Sequence, residues 1–349
     1  MENKDKVRDV SVIMAAYNAE KYIEETLISV LNQSYTNFEF LIVNDGSTDG
    51  TLDIIKKYRE ADNRIKVISR DNNEGCSYSR NEALSHASGQ WIAIIDADDK
   101  CSSDRLLKQI DVMQNNDIDV CGSWIKKVDE NNVELETVRY YESHEQILTH
   151  ALFNCPVAHS TVMIRAETLN GLKYDEGLSY AEDYDLWIRM LLSGSRFHNI
   201  QEPLVMYRIH GQQASHDITS QEWDVFKSVQ SRYLTWFSRG ECMDVELLSR
   251  VSNKGDDFSV HDLRMTHSLW VELLDTSDAQ KNVVKDNLAI FSIRSVALGW
   301  PVFWFYSSFF SRKALTVKYL IVIFILCLFG IEWKSERYKK LESIYSRFV

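Results

Sequence analysis

Between Trp91 and Asp99 the sequence reads Trp-Ile-Ala-Ile-Ile-Asp-Ala-Asp-Asp. An apolar run broken off by a knot of carboxylates has few uses in a folded chain. The run suits a strand buried on both faces of a parallel sheet, and its C-terminal end then opens onto the crevice where open α/β sheets take their ligands. Carboxylates this close repel one another unless a cation lies between them. Asp96 and Asp98, one residue apart, suit a hard, oxygen-liganded Mg²⁺ or Mn²⁺ that can in turn hold a diphosphate. A solvated acidic turn would read the same in isolation, so the rest of the chain has to decide.

The preceding hundred residues repeat one rhythm. Val10 to Tyr17 is a β-branched first strand. Asn18 is expected to cap a helix whose apolar positions Ile23, Leu27, Val30 and Leu31 recur at helical spacing. Phe38 to Val43 is a second buried strand, broken by the turn cluster Asn44 to Asp49, which leaves Asp45 at a strand end beside the same crevice. A helix through Leu52 and Tyr58, a strand from Ile65 to Ser69, and a helix carrying Arg80 and Asn81 complete the pattern. Strands alternating with helices in units of roughly thirty residues predict a three-layer α/β/α fold, Rossmann-like, with a mostly parallel sheet.

After Asp99 the rhythm changes. Ser103 or Asp104 is expected to cap a helix through Met113, Asp119 to Lys127 reads as a strand, and Asp129 to Asn132 reads as a hairpin-like turn. Leu148 to Phe153 reads as helix and Thr161 to Ile164 as strand. The stretch from Gly177 to Gly194 holds a well-buried helix whose first turn carries Glu182 and Asp183, where the helix dipole favours negative charge. A last strand, Leu204 to Gly211, ends in a loop that begins at His210. The expected domains are 1–215, with a nucleotide-binding half (1–100) and an acceptor half (101–215), then a helical extension (216–290) and an apolar, basic segment (291–349).

Bulk properties narrow the partners. A net charge of −12 over 349 residues opposes a nucleic-acid surface, which needs basic residues facing phosphate. Six cysteines without a C-x-x-C pair read as reduced packing thiols, and the charged N-terminus has no apolar signal core, so the chemistry is expected in the cytoplasm. The run from Tyr319 to Phe329 is unbroken hydrocarbon, shorter than the roughly twenty residues a spanning helix needs. Lysines and arginines flank it on both sides, which favours a hairpin or interfacial helix pair at the inner leaflet of the plasma membrane; a buried core helix or a dimer interface is the alternative.

Seven words in order now carry a resemblance. They are Val12-Ile13-Met14-Ala15-Ala16-Tyr17-Asn18, Ser29 to Tyr35, Val43-Asn44-Asp45-Gly46-Ser47-Thr48-Asp49, Arg80-Asn81, Asp96-Ala97-Asp98-Asp99, Glu182 to Trp187, and Tyr207-Arg208-Ile209-His210. Residues 1 to about 215 resemble the inverting, nucleotide-sugar-dependent glycosyltransferases of family 2, which have the GT-A fold; the resemblance stops near residue 220.

Several roles follow from that resemblance alone. Ala15 and Tyr17 lie beside the nucleotide base and Asp45 hydrogen-bonds it, which favours a UDP donor, although Asn44 stands where the family usually has a first aspartate. Asp98 is the direct metal ligand, with Asp96 nearer the ribose or a metal-bound water. His210 reaches the metal or diphosphate, or is a strand-end histidine bonded to backbone. Arg80 pairs with the diphosphate or with a crevice carboxylate. Asp183 is the base that activates the acceptor hydroxyl. Glu182 and Asp185 would raise its proton affinity and the helix N-terminus would lower it, so sequence leaves the sign open. The implied cofactor is Mn²⁺ or Mg²⁺. The implied acceptor is a glycan or lipid-linked oligosaccharide in surface polysaccharide synthesis. Two rivals remain at this level: a phosphatase with a nucleophilic strand-end aspartate, disfavoured by Asp99-Lys100 and the late position, and a membrane-tethered nucleotide-sugar-binding protein without turnover.

Overall fold

In this computed structural model the described residues are 9–211, 213, 219–237, 278–295 and 300–307, with isolated positions between 263 and 327. The strands are β1 (Val10–Ala16), β2 (Phe38–Asp45), β3 (Ile65–Arg70), β4 (Trp91–Ile94), β5 (Lys100–Cys101), β6 (Val120–Val128), β7 (Glu134–Val138), β8 (Met163–Arg165) and β9 (Phe197–Arg208). They form one nine-stranded sheet in the order β3-β2-β1-β4-β8-β6-β9-β5, with β7 paired to β6.

β1 and β2 have almost no solvent-facing residue, as expected of parallel strands covered on both faces. They pair in parallel with each other and with β4 and β3, and the intervening helices α1 (Ile23–Leu31), α2 (Thr51–Ala61) and α3 (Cys76–His86) supply the cover. Beyond β4 the sheet departs from the expected parallel order. β8 runs antiparallel to β4 and to β6, β7 to β6 and β5 to β9; only β6–β9 is parallel. The cause is local. The turn at Asp129–Asn132 is too short for a crossover helix, so β6 and β7 must be antiparallel. The fold is therefore α/β with a mixed sheet, wholly parallel only in its first half.

Two expected helix caps are not formed. Asn18 has a left-handed backbone (φ 46°), and its Oδ1 accepts the Thr48 N–H at 2.9 Å, while α1 begins at Ile23 without a side-chain cap. A short polar side chain tolerates that conformation and here staples two strand-end loops together. Asp104 precedes helix α4 (Arg105–Asn116) but its carboxylate turns to Lys108 at 2.8 Å instead of the helix N–H groups.

Two buried polar clusters fix the strand ends. Arg105, fully buried, donates to the Ile94 and Val162 carbonyls and to Gln109, which itself donates to the Cys121 and Thr161 carbonyls. This network holds the end of β4 against the 3₁₀ turn His159–Thr161. Gly122 is required there, because a Cβ would stand 2.3 Å from Asn199 Oδ1. At the opposite end of the sheet, the Glu39 carboxylate accepts Ser11 Oγ (2.6 Å), the Ser88 N–H (2.9 Å) and Lys66 Nζ (2.6 Å).

These bonds favour the charged form of Glu39. Burial works against it, but Lys66, Ser11 and Ser88 prevail and bring its pKa from 4.5 down to about 2. A folded value below the unfolded one means the stabilisation is complete above pH 4.5 and is lost as pH falls toward 2. Glu39→Gln is expected to lower stability at pH 7 by about 3 kcal/mol. In urea melts at pH 7 and pH 3 the difference between variant and parent should shrink at the lower pH; an equal difference at both would contradict the assignment.

Two compact units divide the chain: residues 1–147 with 155–229, and residues 148–154 with 230–349. Helix α5 (His144–His150) falls across the boundary, and the first unit contains the whole sheet, helices α6 (Ala166–Leu169) and α7 (Glu182–Leu192), and the first half of helix α8 (Ser220–Phe237). In the second, the described residues include helices Asp278–Arg294 and Trp300–Ser307. Among the described residues no helix is long and apolar enough to cross a membrane. Of the apolar run Tyr319 to Phe329, only Ile323, Phe324, Leu326 and Cys327 are among the described residues.

Candidate active site

At the C-terminal ends of β1 and β4 a cavity of about 750 Å³ opens within the first unit. Its size falls in the range of about 300–1,000 Å³ typical of small-molecule sites. Ala15, Tyr17, Arg80, Asp96, Asp98, Asp183 and His210, all expected at the site, line it. Asp45 does not. It is 2 % exposed, and its carboxylate accepts the Glu74 and Gly75 N–H groups at 3.0 and 2.9 Å beside Arg70. In this arrangement it secures the loop into α3, and a base could reach it only if that loop opened.

β4 delivers the carboxylates to three different surroundings. Asp96 is held by three partners: Oδ1 accepts from Arg80 (3.1 Å), Oδ2 from Ser160 (3.0 Å) and from His159 (3.3 Å). Burial opposes its charge, but His159, Arg80 and Ser160 hold its pKa well below the usual range. Asp98 faces His210, with Oδ2 2.9 Å from Nε2; burial and the Asp96 charge nevertheless push its pKa up. Asp99 is fully buried and accepts the Arg208 N–H on Oδ1, while Oδ2 has no hydrogen-bond partner among the described residues. Burial, then Asp98 and Asp96, raise it further still. The cluster thus carries more negative charge than its own cations balance.

That surplus of negative charge beside Asp98 fits a divalent cation. Asp98 and His210 are an oxygen and an imidazole donor on the same side of the cavity, a set that suits Mn²⁺ or Mg²⁺. Among the described residues no three His, Cys, Asp or Glu side chains converge to hold an ion by themselves. A cation bound through one or two protein ligands completes its shell with substrate phosphate oxygens and water.

Arg208 organises this corner and is a residue the sequence reading passed over. It is 0 % exposed. Its guanidinium donates to the Asp98 carbonyl (2.9 Å), Asn132 Oδ1 (3.2 Å) and Glu25 (3.1 Å), and lies 4.7 Å from the Tyr22 ring, which also packs on His210. One side chain therefore ties β4, α1, the β6–β7 turn and β9 together two residues before His210. The word Tyr-Arg-Ile-His held the signal, but nothing in it distinguishes a buried arginine from a solvated one.

Across the cavity, helix α7 (Glu182–Leu192) presents Glu182 and Asp183 in its first turn, after Ala181 in a left-handed conformation. Asp183 Oδ1 accepts the Tyr184 N–H (2.7 Å), and the Cys155 thiol lies 3.8 Å from Oδ2. Burial and the neighbouring Glu182 charge raise the Asp183 pKa, which settles the sign the sequence left open. For Glu182 burial also acts upward, but Arg80 at 2.7 Å outweighs it and the pKa falls. Two adjacent carboxylates are thus driven apart, one kept as an anion and one made more basic, as acid–base sites require.

His159 joins the two sides. Its Nε2 lies 3.0 Å from the Tyr174 hydroxyl, which burial pushes far up and so keeps protonated. Its Nδ1 donates to Asp96 Oδ2 at 3.3 Å. The region beyond 216, to which sequence assigned no chemistry, also contributes: Glu222 and Phe226 of α8 line the cavity, Phe226 stacked 4.7 Å from Tyr184.

Arg80, expected at a diphosphate or at a crevice carboxylate, is found at the second: both arms are taken by Asp96 and Glu182.

The fold is shared with solved structures. Staphylococcus aureus TarS, crystallised as residues 1–349 in complex with UDP-GlcNAc, superposes with a TM-score of 0.57 at 21% identity, over 94% of this chain and 93% of that one. In sequence, an uncharacterized glycosyltransferase of Methanocaldococcus jannaschii is 40% identical over 204 residues, 57% of this chain and 70% of that protein. The O-antigen biosynthesis glycosyltransferase WbnJ of Escherichia coli is 33% identical over 204 residues, 58% of this chain and 80% of its own length. The model of glycosyl transferase family 2 matches residues 11–166, and that of glycosyl transferase family group 2 matches residues 91–333. With the crevice carboxylates in place and relatives of this identity matched over most of their length, the chain belongs to the family 2 glycosyltransferases.

Proposed function

We propose that the protein transfers a hexosyl or N-acetylhexosaminyl group from a UDP-sugar to a hydroxyl of a glycan or lipid-linked acceptor, with inversion, in surface polysaccharide biosynthesis. The observation that carries this reading is the opposition across one cavity of an unbalanced carboxylate–histidine corner, Asp98 and His210, and a carboxylate made basic by its surroundings, Asp183. The named activity of WbnJ in O-antigen biosynthesis and the UDP-GlcNAc bound to TarS support the substrate class.

A divalent cation held by Asp98 and His210 would supply Lewis-acid charge to the diphosphate as it leaves. The residues do the rest. Asp183 accepts the proton of the acceptor hydroxyl as its oxygen bonds to the anomeric carbon. The anomeric C–O bond to the diphosphate breaks with its electron pair on the nucleotide, so one in-line displacement turns an α-linked donor into a β-linked product. Asp96, fixed by three partners, is suited to a ribose or metal-water contact that needs a rigid acceptor. Tyr17, 49 % exposed at the rim, offers its ring to a base.

Thermal melts against UDP-, GDP- and dTDP-sugars, with Mn²⁺ and with EDTA, test this directly. A UDP-sugar with Mn²⁺ at a hundredfold excess over its Kd stabilises by about 2.7 kcal/mol through mass action. Stabilisation by a UDP-sugar only when metal is present is the expected outcome; equal stabilisation in EDTA, or by no nucleotide sugar, contradicts the reading. The lysines and arginines that flank the 319–329 run in sequence support, as part of this proposal, a position on the cytoplasmic face of the plasma membrane. The full chain is expected to sediment with vesicles containing anionic lipid and to be released by salt, and to stay in solution with neutral vesicles.

A further inference from the structure

Arg80 is 12 % exposed at its side chain and bridges two carboxylates from opposite walls of the cavity. NH1 donates to Glu182 Oε1 at 2.7 Å and NH2 to Asp96 Oδ1 at 3.1 Å. Its guanidinium lies 5.5 Å from the Tyr174 ring centroid. The next residue along α3, Asn81, makes a second tie: its amide donates to the Tyr174 carbonyl (2.9 Å) and to Glu176 (2.8 Å), and its Oδ1 accepts the Tyr174 N–H (2.9 Å). α3 is thereby joined at two adjacent residues to the segment leading into α7, while Asp96 is held from its other side by His159 and Ser160. Each terminal nitrogen donates an N–H to a carboxylate, one on either wall, so the guanidinium is fixed as a brace between the two walls rather than free to turn toward a ligand.

We propose that Arg80 is a positioning residue, a strut that fixes the Glu182–Asp183 turn at a set distance from Asp96, and not an anchor for the donor diphosphate. The inference rests on the assignment of Asp183 as base. It adds that the donor wall and the base are held in register by one cation, so that loss of the cation disturbs proton transfer while donor affinity is retained.

The electrostatic consequence has a definite sign. Asp183 is faced by Glu182 from its own helix, by Arg80 from α3, by His159 from the 3₁₀ turn, and by Tyr140, Cys155, Tyr174 and Tyr180. Burial and Glu182 raise its proton affinity; His159 and Arg80 lower it. Removing Arg80 takes away one cation and leaves Glu182 unpaired beside Asp183. Both changes bind the proton more tightly, so the acid limb of kcat/KM moves to higher pH.

The test is a pH–rate profile of Arg80→Gln and Arg80→Lys, with UDP affinity measured by calorimetry in Mn²⁺. Arg80→Gln is expected to keep UDP affinity within about twofold, to lose about a hundredfold in kcat, and to shift the acid limb upward. Arg80→Lys keeps the charge but reaches one carboxylate only, and should fall between. In the double variant Arg80→Gln/Glu182→Gln the acid limb should return toward its original place, because the repelling charge is gone. Tenfold weaker UDP binding with an unmoved acid limb would make Arg80 a diphosphate anchor and overturn the proposal. Full activity of Asp183→Asn would instead overturn the base assignment on which it rests, and the two failures read out separately.

Discussion

Asp183→Asn is expected to reduce glycosyl transfer by about three orders of magnitude while leaving UDP affinity within about twofold. General-base catalysis by a positioned side chain contributes roughly 10²–10⁴ in rate. Asparagine keeps the Oδ1 that accepts the Tyr184 N–H, so the helix start is preserved and the loss isolates proton transfer. In the parent enzyme the raised proton affinity of Asp183 places the acid limb of kcat/KM above the ordinary carboxylate range. The variant should lose that limb together with its rate. A residual rate within tenfold of the parent, at any pH between 5 and 9, would remove Asp183 from the reaction.

The second large effect belongs to Asp98. Asp98→Ala, or the parent enzyme in excess EDTA, is expected to lose activity by about a thousandfold or more, because leaving-group charge on the diphosphate then goes uncompensated. Stability should not follow activity. Asp98 sits among Asp96 and Asp99 with its proton affinity raised by burial and by Asp96, so its removal relieves repulsion in the metal-free protein. The metal-free variant is expected to melt at or above the temperature of the metal-free parent, a separation of stability from function common where like charges are held together for use. A melting point lower by several degrees would show that Asp98 is a structural residue. Added Mn²⁺ should stabilise the parent in the presence of UDP and leave Asp98→Ala unchanged.

Much of the donor half was legible because its signals are local. Hydrophobic strands ending in Asp45 and Asp96, with helices between them, follow from residue spacing alone, and β2 and β4 fall within a residue or two of where that spacing puts them. The second half was less so. β8 and β9 owe their directions to a 3₁₀ turn and to contacts distant in sequence, and β9 begins at Phe197, seven residues before the apolar run that announces it. Asn18 has the composition of a cap and the conformation of a loop staple, a choice made by Thr48 thirty residues away.

The site divides in the same way. Asp96, Asp98, Asp183 and His210 come together at one cavity. Asp45 stands apart because the Glu74 and Gly75 N–H groups claim its carboxylate, which no spacing rule foretells. His159 bridges Asp96 and Tyr174, residues far from it in sequence that only the fold brings within reach. Arg208 and Asp99 were invisible for the opposite reason: a buried guanidinium and a buried carboxylate look like surface charges until the packing around them is known.

The central claim, that one crevice draws off a nucleotide with Asp98 and activates an acceptor with Asp183, is tested most directly by nucleotide release. Purified full-length protein incubated with a UDP-sugar and Mn²⁺ should liberate UDP, by transfer or slow hydrolysis. That release should vanish in EDTA and in Asp98→Ala, and fall about a thousandfold in Asp183→Asn. Undiminished UDP release in EDTA together with full activity of Asp183→Asn would contradict the account at both of its ends.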